Sequence, residues 1–563
     1  MEQRSGPRAS ATVQFTRRGL LARAAGLTGT AVISALLAAC KGKKAQQAVG
    51  ATSTVTATTP IVPPSTAVAV AASPTQPPVR GIAVDKLRFA WWTDVGNLTP
   101  FQVSATGPGG AVLMTFVYDT LTWKDDRGII PLLGSSWEVS PDGTQYTFHL
   151  VDIAVWHDGT PLTVDDVAFS YSYFAVHPYV WMSSDVVKSA TAGTQGAINF
   201  TLVRPAANFL EEIAGIIPII PKHVWENVSD PTKYTGTDAS VGSGPYVMSE
   251  HDATAGAYRL TAFDQYWKGQ PVAKELQQIT TTPQAQLEIV EKGDADLSLG
   301  TDASVVDLIF RYPDLKVEMT APLSVVRLAV NTLQPPLDQR DLRQAIMYAL
   351  NRAQIAETMT MAPGIITGVG IVPPDTPWFN SAIMEYPYDP DKAKTLLGGK
   401  TYAINLLAAP TDRHTDLMKP MLAAVGITLN VQQVDTATRL QHLSDGTFQL
   451  ALTSHIGIGG DPDYLRRWYA GEEANAFAKG SIFKNAQYAQ LAEQQAATLD
   501  PTRRRAIVFQ MQTILAEELP TLVLYHRRFY WVYDGRVFRP LETWGGLMNG
   551  IPFPNNKLTL IGS

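Results

Sequence analysis

At 563 residues, 45% hydrophobic and 17% charged, the chain has enough apolar material for a large core and the length of about two to four domains, which excludes a disordered, collagen-like or coiled-coil protein. The net charge of −6 divides unevenly: residues 1–84 hold nine Lys/Arg against one acid, and the remaining body is strongly acidic, without the cationic face that nucleic acid requires. The single cysteine, Cys40, excludes internal disulfides, Cys-ligated zinc and iron–sulfur clusters.

The N-terminus has the three parts of a secretory signal. Arg17 and Arg18 precede an uncharged Ala/Gly/Thr-rich run that ends at Leu37-Ala38-Ala39-Cys40. The run is too short to cross an apolar layer that needs about 20 residues. The arginine pair resembles a twin-arginine export signal, and the two small residues before Cys40 resemble a lipoprotein box. Residues 1–40 are therefore expected to be a signal peptide that leaves Cys40 lipidated. Residues 41–84 follow as an Ala/Thr/Pro linker. Its stretch 45–79 carries no charge, and Pro60, Pro63, Pro64, Pro74, Pro77 and Pro78 bar regular structure. Forty residues of flexible coil span about 35 Å, so the linker is a tether between a membrane anchor and a folded body.

In the body, short strands alternate with capped helices. Lys86–Trp92, Tyr146–Leu150, Asn199–Val203 and Ala257–Phe263 read as strands, the last alternating Tyr258, Leu260 and Ala262 against Arg259 and Thr261. Val325–Val330, Ile404–Ala408, Ile427–Val434, Phe448–Leu452 and Leu522–Tyr525 follow. Asp142-Gly143 predicts a hairpin turn, and Trp156-His157-Asp158-Gly159 a turn before a helix. Thr163 with Asp166 forms a capping box for a helix over 164–176. Thr282-Pro283, Asp389-Pro390 and Asp500-Pro501 open further helices, at 284–292, up to Leu397 and over 502–518, and a continuous amphipathic helix is expected over 341–352. The alternation predicts α/β lobes with partly parallel sheets.

Five ordered blocks carry a resemblance to the extracytoplasmic solute-binding proteins of family 5, the dipeptide and oligopeptide receptors of ABC importers. They are Val117-Tyr118-Asp119-Thr120-Leu121 with Leu133–Ser140; Asp142–Phe148 with Trp156–Thr163 and Asp165-Asp166-Val167; Gly242-Ser243-Gly244-Pro245-Tyr246; Asn331-Thr332 with Pro335–Asp338 and Arg343-Gln344-Ala345; and Tyr388–Ala393. The resemblance implies a two-lobed periplasmic-binding-protein fold with a hinge and an extra subdomain. Lobe one would hold about 85–325 and return at 515–563, its subdomain would be 126–200, and lobe two would be 326–514. It also implies a monomer that binds peptides or peptide-like solutes, held at the outer face of the cytoplasmic membrane. Such a receptor serves a membrane permease with a separate ATPase, has no cofactor and performs no catalysis.

Peptide receptors of this family place an aspartate three residues before an acidic residue and a proline, where it anchors the ligand's amine. In Thr453–Tyr464 that place is taken by Ile458, which leaves Asp461, Asp463 and His455 as candidate ligand groups; an Asp before Pro also serves as a turn or cap. Trp91 and Trp92 end the first strand, where strand carboxyl ends face a crevice, and Trp378 follows a proline-rich loop. Ser243 lies in a Gly-Ser-Gly turn that either offers backbone N–H groups to ligand or only turns the chain.

Rival readings are an oligosaccharide receptor, a receptor for nickel or haem chelates, an envelope chaperone or sensor, and a hydrolase. The hydrolase reading finds no Gly-x-Ser-x-Gly elbow and no His-Glu-x-x-His pair.

Overall fold

The computed structural model describes residues 84–91, 94–104, 109–125, 128–281, 285–300, 305, 310–319, 322, 324–361, 370–374, 376–410, 412–456, 460–470, 483–537 and 557–561. Arg17, Arg18, Cys40, the linker, Trp92, the Thr282-Pro283 helix start and Ile458 lie outside the described residues.

Two sheets organise the body. The first takes strands β1 (Val84–Trp91), β8 (Tyr246–Asp252), β9 (Ala257–Ala262), β10 (Ala273–Thr280), β11 (Leu297–Gly300), β12 (Leu315–Met319) and β18 (Tyr530–Asp534), in the order β12-β18-β11-β1-β10-β9-β8. Within it β1 runs parallel to β10 and β11, whereas β9 and β18 are antiparallel to their neighbours. Every residue of β11 is buried, as expected of a strand covered on both faces. Helices α1 (Gly109–Val117) and α2 (Val164–Val176) belong to this half, as does a small sheet β4-β5-β7-β6 made from Gly134–Val139, Gln145–Leu150, Ala197–Leu202 and Val187–Ala192. One apolar cluster, including Leu87, Phe116, Phe148, Phe200 and Leu276, joins the small sheet to the large one.

The second sheet takes β13 (Ser324–Val330), β14 (Tyr402–Ala408), β15 (Ile427–Gln433), β16 (Leu450–Ile456) and β17 (Thr521–Arg527), in the order β15-β14-β16-β13-β17. Helices α3 (Arg340–Ala349), α4 (Arg352–Thr360), α5 (Pro390–Leu397), α6 (His414–Ala423), α7 (Thr436–Asp445), α8 (Tyr464–Tyr469), α9 (Ala486–Ala497) and α10 (Pro501–Glu518) surround it. Its two faces bury different clusters: Val326, Leu328 and Val330 join one, and Val325 joins another with Tyr464, Trp468 and Val508.

Local signals hold where they are short-range. Asp166 Oδ2 accepts from the Thr163 N–H at 2.8 Å, closing the capping box. Asp389 and Asp500 accept from Lys392 and Arg503 N–H groups, each with Pro at the first helical position. Asp142 ties Ser140 and Thr144 in the hairpin between β4 and β5.

Three expectations are corrected. The helix expected over 341–352 is two helices, because Leu350 turns extended and Asn351 caps the second by accepting from Gln354 N–H. The strands expected over 448–452 and 522–525 run on to Ile456 and Arg527. Their polar ends continue to pair with Ser324–Val326 of β13, which no apolar alternation signals. The chain was expected to return to lobe one at about 515. Instead α10 and β17 stay with the second sheet, and the return falls between Arg527 and Tyr530.

Candidate functional site

Strand directions place the site. In the first sheet the C-terminal ends of β1, β8, β10, β11 and β12 and the start of β18 share one edge. In the second, the C-terminal ends of β14, β15, β16 and β17 and the start of β13 share one edge. The chain passes between the sheets at those two edges, from Met319 to Ser324 and from Arg527 to Tyr530. The junction of the lobes is therefore flanked by strand carboxyl ends, the place where α/β sheets present ligand-binding loops.

On the first edge Trp91 is the last residue of β1, paired with Thr280 of β10. The loop that follows is fixed by a polar cluster. Tyr258 donates its hydroxyl proton to Asp94 and accepts from the Val95 N–H at 2.9 Å; His251 Nε2 lies 3.3 Å from Asp94 and its ring stacks on Tyr258. Burial and the Asp94 carboxylate push the Tyr258 hydroxyl well above its usual range.

On the second edge Ser324 of β13 is paired with both Ile456 and Arg527. His455 stands on the opposite face of the sheet from Ser324, its ring 4.4 Å from that of Trp468. Arg327 shares that face: its guanidinium lies 5.2 Å from the Trp468 ring and donates to Thr521 Oγ1 at 3.1 Å.

Asp461 and Asp463 are buried, 3% and 0% exposed, in a polar network that joins the two lobes. Arg504 of α10 holds both Asp461 oxygens, at 2.5 and 2.6 Å, and donates to Gln495 Oε1. Asp463 accepts from Arg466 at 2.8 and 2.9 Å and from Gln495 at 2.7 Å. From lobe one, a π-helical turn over Phe209–Ile213 brings Glu211 and Glu212 against this segment. Glu211 accepts from the Asp461 N–H at 3.1 Å and pairs with Lys124; Glu212 accepts from Arg467 at 2.9 Å and from Asn208 at 2.8 Å. Trp378 lies under Arg504, 5.3 Å from its guanidinium, and its carbonyl accepts from Gln512. Both aspartates, read from sequence as candidate ligand groups, thus face guanidinium and amide donors, and Trp378 packs against that same assembly.

Ser243 stands apart from these groups. It precedes β8, at the end of the first sheet away from the lobe junction, and is fully buried. Cβ atoms at Gly242 and Gly244 would come 2.0 and 2.4 Å from the carbonyl oxygens of Val117 and Phe116, so glycine there permits a close backbone approach to the end of α1.

The network carries a proton-linked prediction. Complete burial, with Asp461 and Asp463 nearby, pushes Glu212 up to about 8 against the pull of Arg467; Asn208, Glu211, Lys124 and Arg466 complete its charged and polar surroundings. The folded chain then holds this proton more tightly than the unfolded chain. Its contribution to stability is fully present below about pH 4.5 and is lost as pH rises toward 8. Glu212→Gln should flatten that decline, by on the order of 2 kcal/mol between pH 5 and 8 in denaturant titrations. An unchanged slope would refute this assignment.

Sequence reasoning missed Glu211, Glu212, Arg504 and Arg527. The adjacent acids at 211–212 and the arginines at 466–467 are visible as pairs, but nothing local joins segments some 250 positions apart.

Two α/β lobes joined by two strand crossings, with strand carboxyl ends on both sides of the junction, define a two-lobed periplasmic-type binding protein. Residues 128–477 match the model for bacterial extracellular solute-binding proteins, family 5 middle, and the chain belongs to that family. Among curated relatives, a dipeptide-binding protein of Escherichia coli K12 is 26% identical over 441 residues, covering 71% of this chain and 81% of its own. A nickel-binding periplasmic protein of the same organism is 24% identical over 482 residues, covering 78% of this chain and 88% of its own. Among solved structures, the dipeptide-binding protein of Pseudoalteromonas sp. SM9913 in complex with Met-Leu superposes with a TM-score of 0.72 at 19% identity, covering 84% of this chain and 99% of that one. The DppA protein of Helicobacter pylori in complex with the peptide STSA gives 0.71 at 22%, covering 80% and 94%. These structural likenesses show the fold.

Proposed function

We propose that this chain is the substrate-binding component of an ABC importer, capturing oligopeptides or peptide-like solutes outside the cytoplasmic membrane and delivering them unchanged to a permease driven by a separate ATPase. The observation that carries this reading is the apposition of two strand-end edges at a two-crossing junction. It gives a ligand two surfaces to bridge and the chain two short segments to rotate about. The dipeptide-binding proteins among its relatives and structural neighbours support the solute class.

Ligand that contacts both lobes favours the closed arrangement. Moving the closed fraction from about 1% to about 99% takes roughly 5.5 kcal/mol of differential affinity. Arg17-Arg18 and Cys40 support export by the twin-arginine route and a lipid anchor, with residues 41–84 as the tether of a monomeric receptor. Trp91 at the end of β1, with Trp92 next to it in sequence, and His455 near the end of β16 are this reading's candidate ligand contacts, and Ser243 is assigned to packing.

Native mass spectrometry of the purified protein, followed by identification of the released solute, tests the reading. Retained peptides or peptide-like molecules are expected. A saccharide or a metal chelate would replace this ligand class, and turnover of a peptide panel would replace the receptor reading with an enzyme.

A further inference from the structure

The second edge carries a cation that the network above does not use. Arg527 is the last residue of β17, at the crossing into lobe one, and is half-buried. Its Nε donates to Oγ of the fully buried Ser324 at 3.3 Å, and its guanidinium lies 5.0 Å from the Phe529 ring. Among the described residues no carboxylate stands within ion-pair distance of it, and its two Nη groups have no protein acceptor. The acid whose field reaches it, Asp412, is already held by His414, whose Nδ1 lies 2.6 Å from Asp412 Oδ1 and whose Nε2 lies 2.9 Å from the Tyr525 hydroxyl. Arg439, which also feels Asp412, donates to the Leu452 carbonyl at 3.1 Å.

A guanidinium fixed at Nε and stacked on a ring presents its remaining N–H groups as a planar fork, the geometry that matches a carboxylate or phosphate. Leaving such a group partly desolvated without an anion is costly, and an incoming anion recovers that cost. On the other side of Ser324 the strand β16 ends at Ile456, so the neighbour of this site on that strand is apolar.

We propose that Arg527, positioned by Ser324 and Phe529, is a specificity-determining residue that binds an oxyanion of the solute at the lobe-two side of the junction. The recognised solute is therefore anchored through a negative group, a carboxylate in a peptide-like ligand, instead of through a free amine. This rests on the solute-receptor reading for the position of the site, and its test separates the two.

The full chain is titrated calorimetrically with one tripeptide in four forms: free at both ends, N-acetylated, C-amidated, and capped at both ends. Citrate and inorganic phosphate form parallel arms, and wild type is compared with Arg527→Gln and Arg527→Lys. The proposal expects the free and N-acetylated peptides to bind, amidation to remove binding, and Arg527→Gln to weaken the carboxylate-bearing forms about 10- to 100-fold, with partial recovery in Arg527→Lys. Unchanged thermal unfolding of Arg527→Gln establishes that the loss belongs to the ligand. Binding of citrate or phosphate that depends on Arg527, with no peptide bound, would uphold the oxyanion site while ending the peptide reading. Binding that needs the amine, binding indifferent to Arg527→Gln, or no binding of any probe would overturn the proposal.

Discussion

Lys557→Met should lower the unfolding temperature of lobe one by roughly 6–15 °C, the equivalent of about 3–5 kcal/mol. Asp119 is fully buried and receives the Lys557 ammonium, the Tyr266 hydroxyl at 3.2 Å and the Trp267 indole N–H at 2.9 Å. Lys557 is itself 0% exposed, donates to the Tyr118 carbonyl at 3.3 Å and lies 4.5 Å from the Trp123 ring centroid. Burial draws the Lys557 ammonium below its usual range, against the pull of Asp119. Removing the cation alone strands a carboxylate in the core, whereas removing both charges does not. Lys557→Met combined with Asp119→Asn should therefore recover much of the loss. Calorimetry that showed a single-variant loss below about 1 kcal/mol would contradict the pairing.

Arg504→Met is expected to cost lobe two a similar roughly 3–5 kcal/mol, because Asp461 would keep its burial and lose both guanidinium contacts. The damage should reach further than stability. Asp461 offers its backbone N–H to Glu211, and Asp463 accepts from Asn208 at 3.3 Å, so the segment that loosens is the one lobe one grips. A double-mutant cycle with Asp461→Asn isolates the pair. A coupling energy of more than about 1 kcal/mol is expected in denaturant titrations, and additivity within about 0.3 kcal/mol would mean that the two groups act independently.

What the sequence discloses is set by range. Caps and turns are written within four residues of themselves, so Thr163, Asp389, Asp500 and Asp142 are legible one at a time. Fold class follows from the ordered blocks and the alternation of strands with helices, and the structure bears it out. Asp119 lies inside one of those blocks, yet its partner is Lys557, near the far end of the chain, and no local pattern joins them. The pair Asp461 and Asp463 reads equally well as ligand group, turn or cap, since its identity depends on Arg504, Gln495 and Asn208. Arg527 closes an apolar strand, where a cation reads as a solvated end until pairing with Ser324 places it at the crossing. The strands that stop too early in sequence, at 452 and 525, do so because Thr453, Ser454, His455 and Arg527 are polar; their extension is dictated by β13.

The proposed function requires two lobes that close on a solute. Small-angle X-ray scattering of the full chain, stripped of ligand and then saturated with the solute identified by mass spectrometry, tests it most directly. A smaller radius of gyration on saturation is the outcome required by ligand bridging both strand-end edges. The same radius with and without bound solute would show that the lobes do not move to hold it.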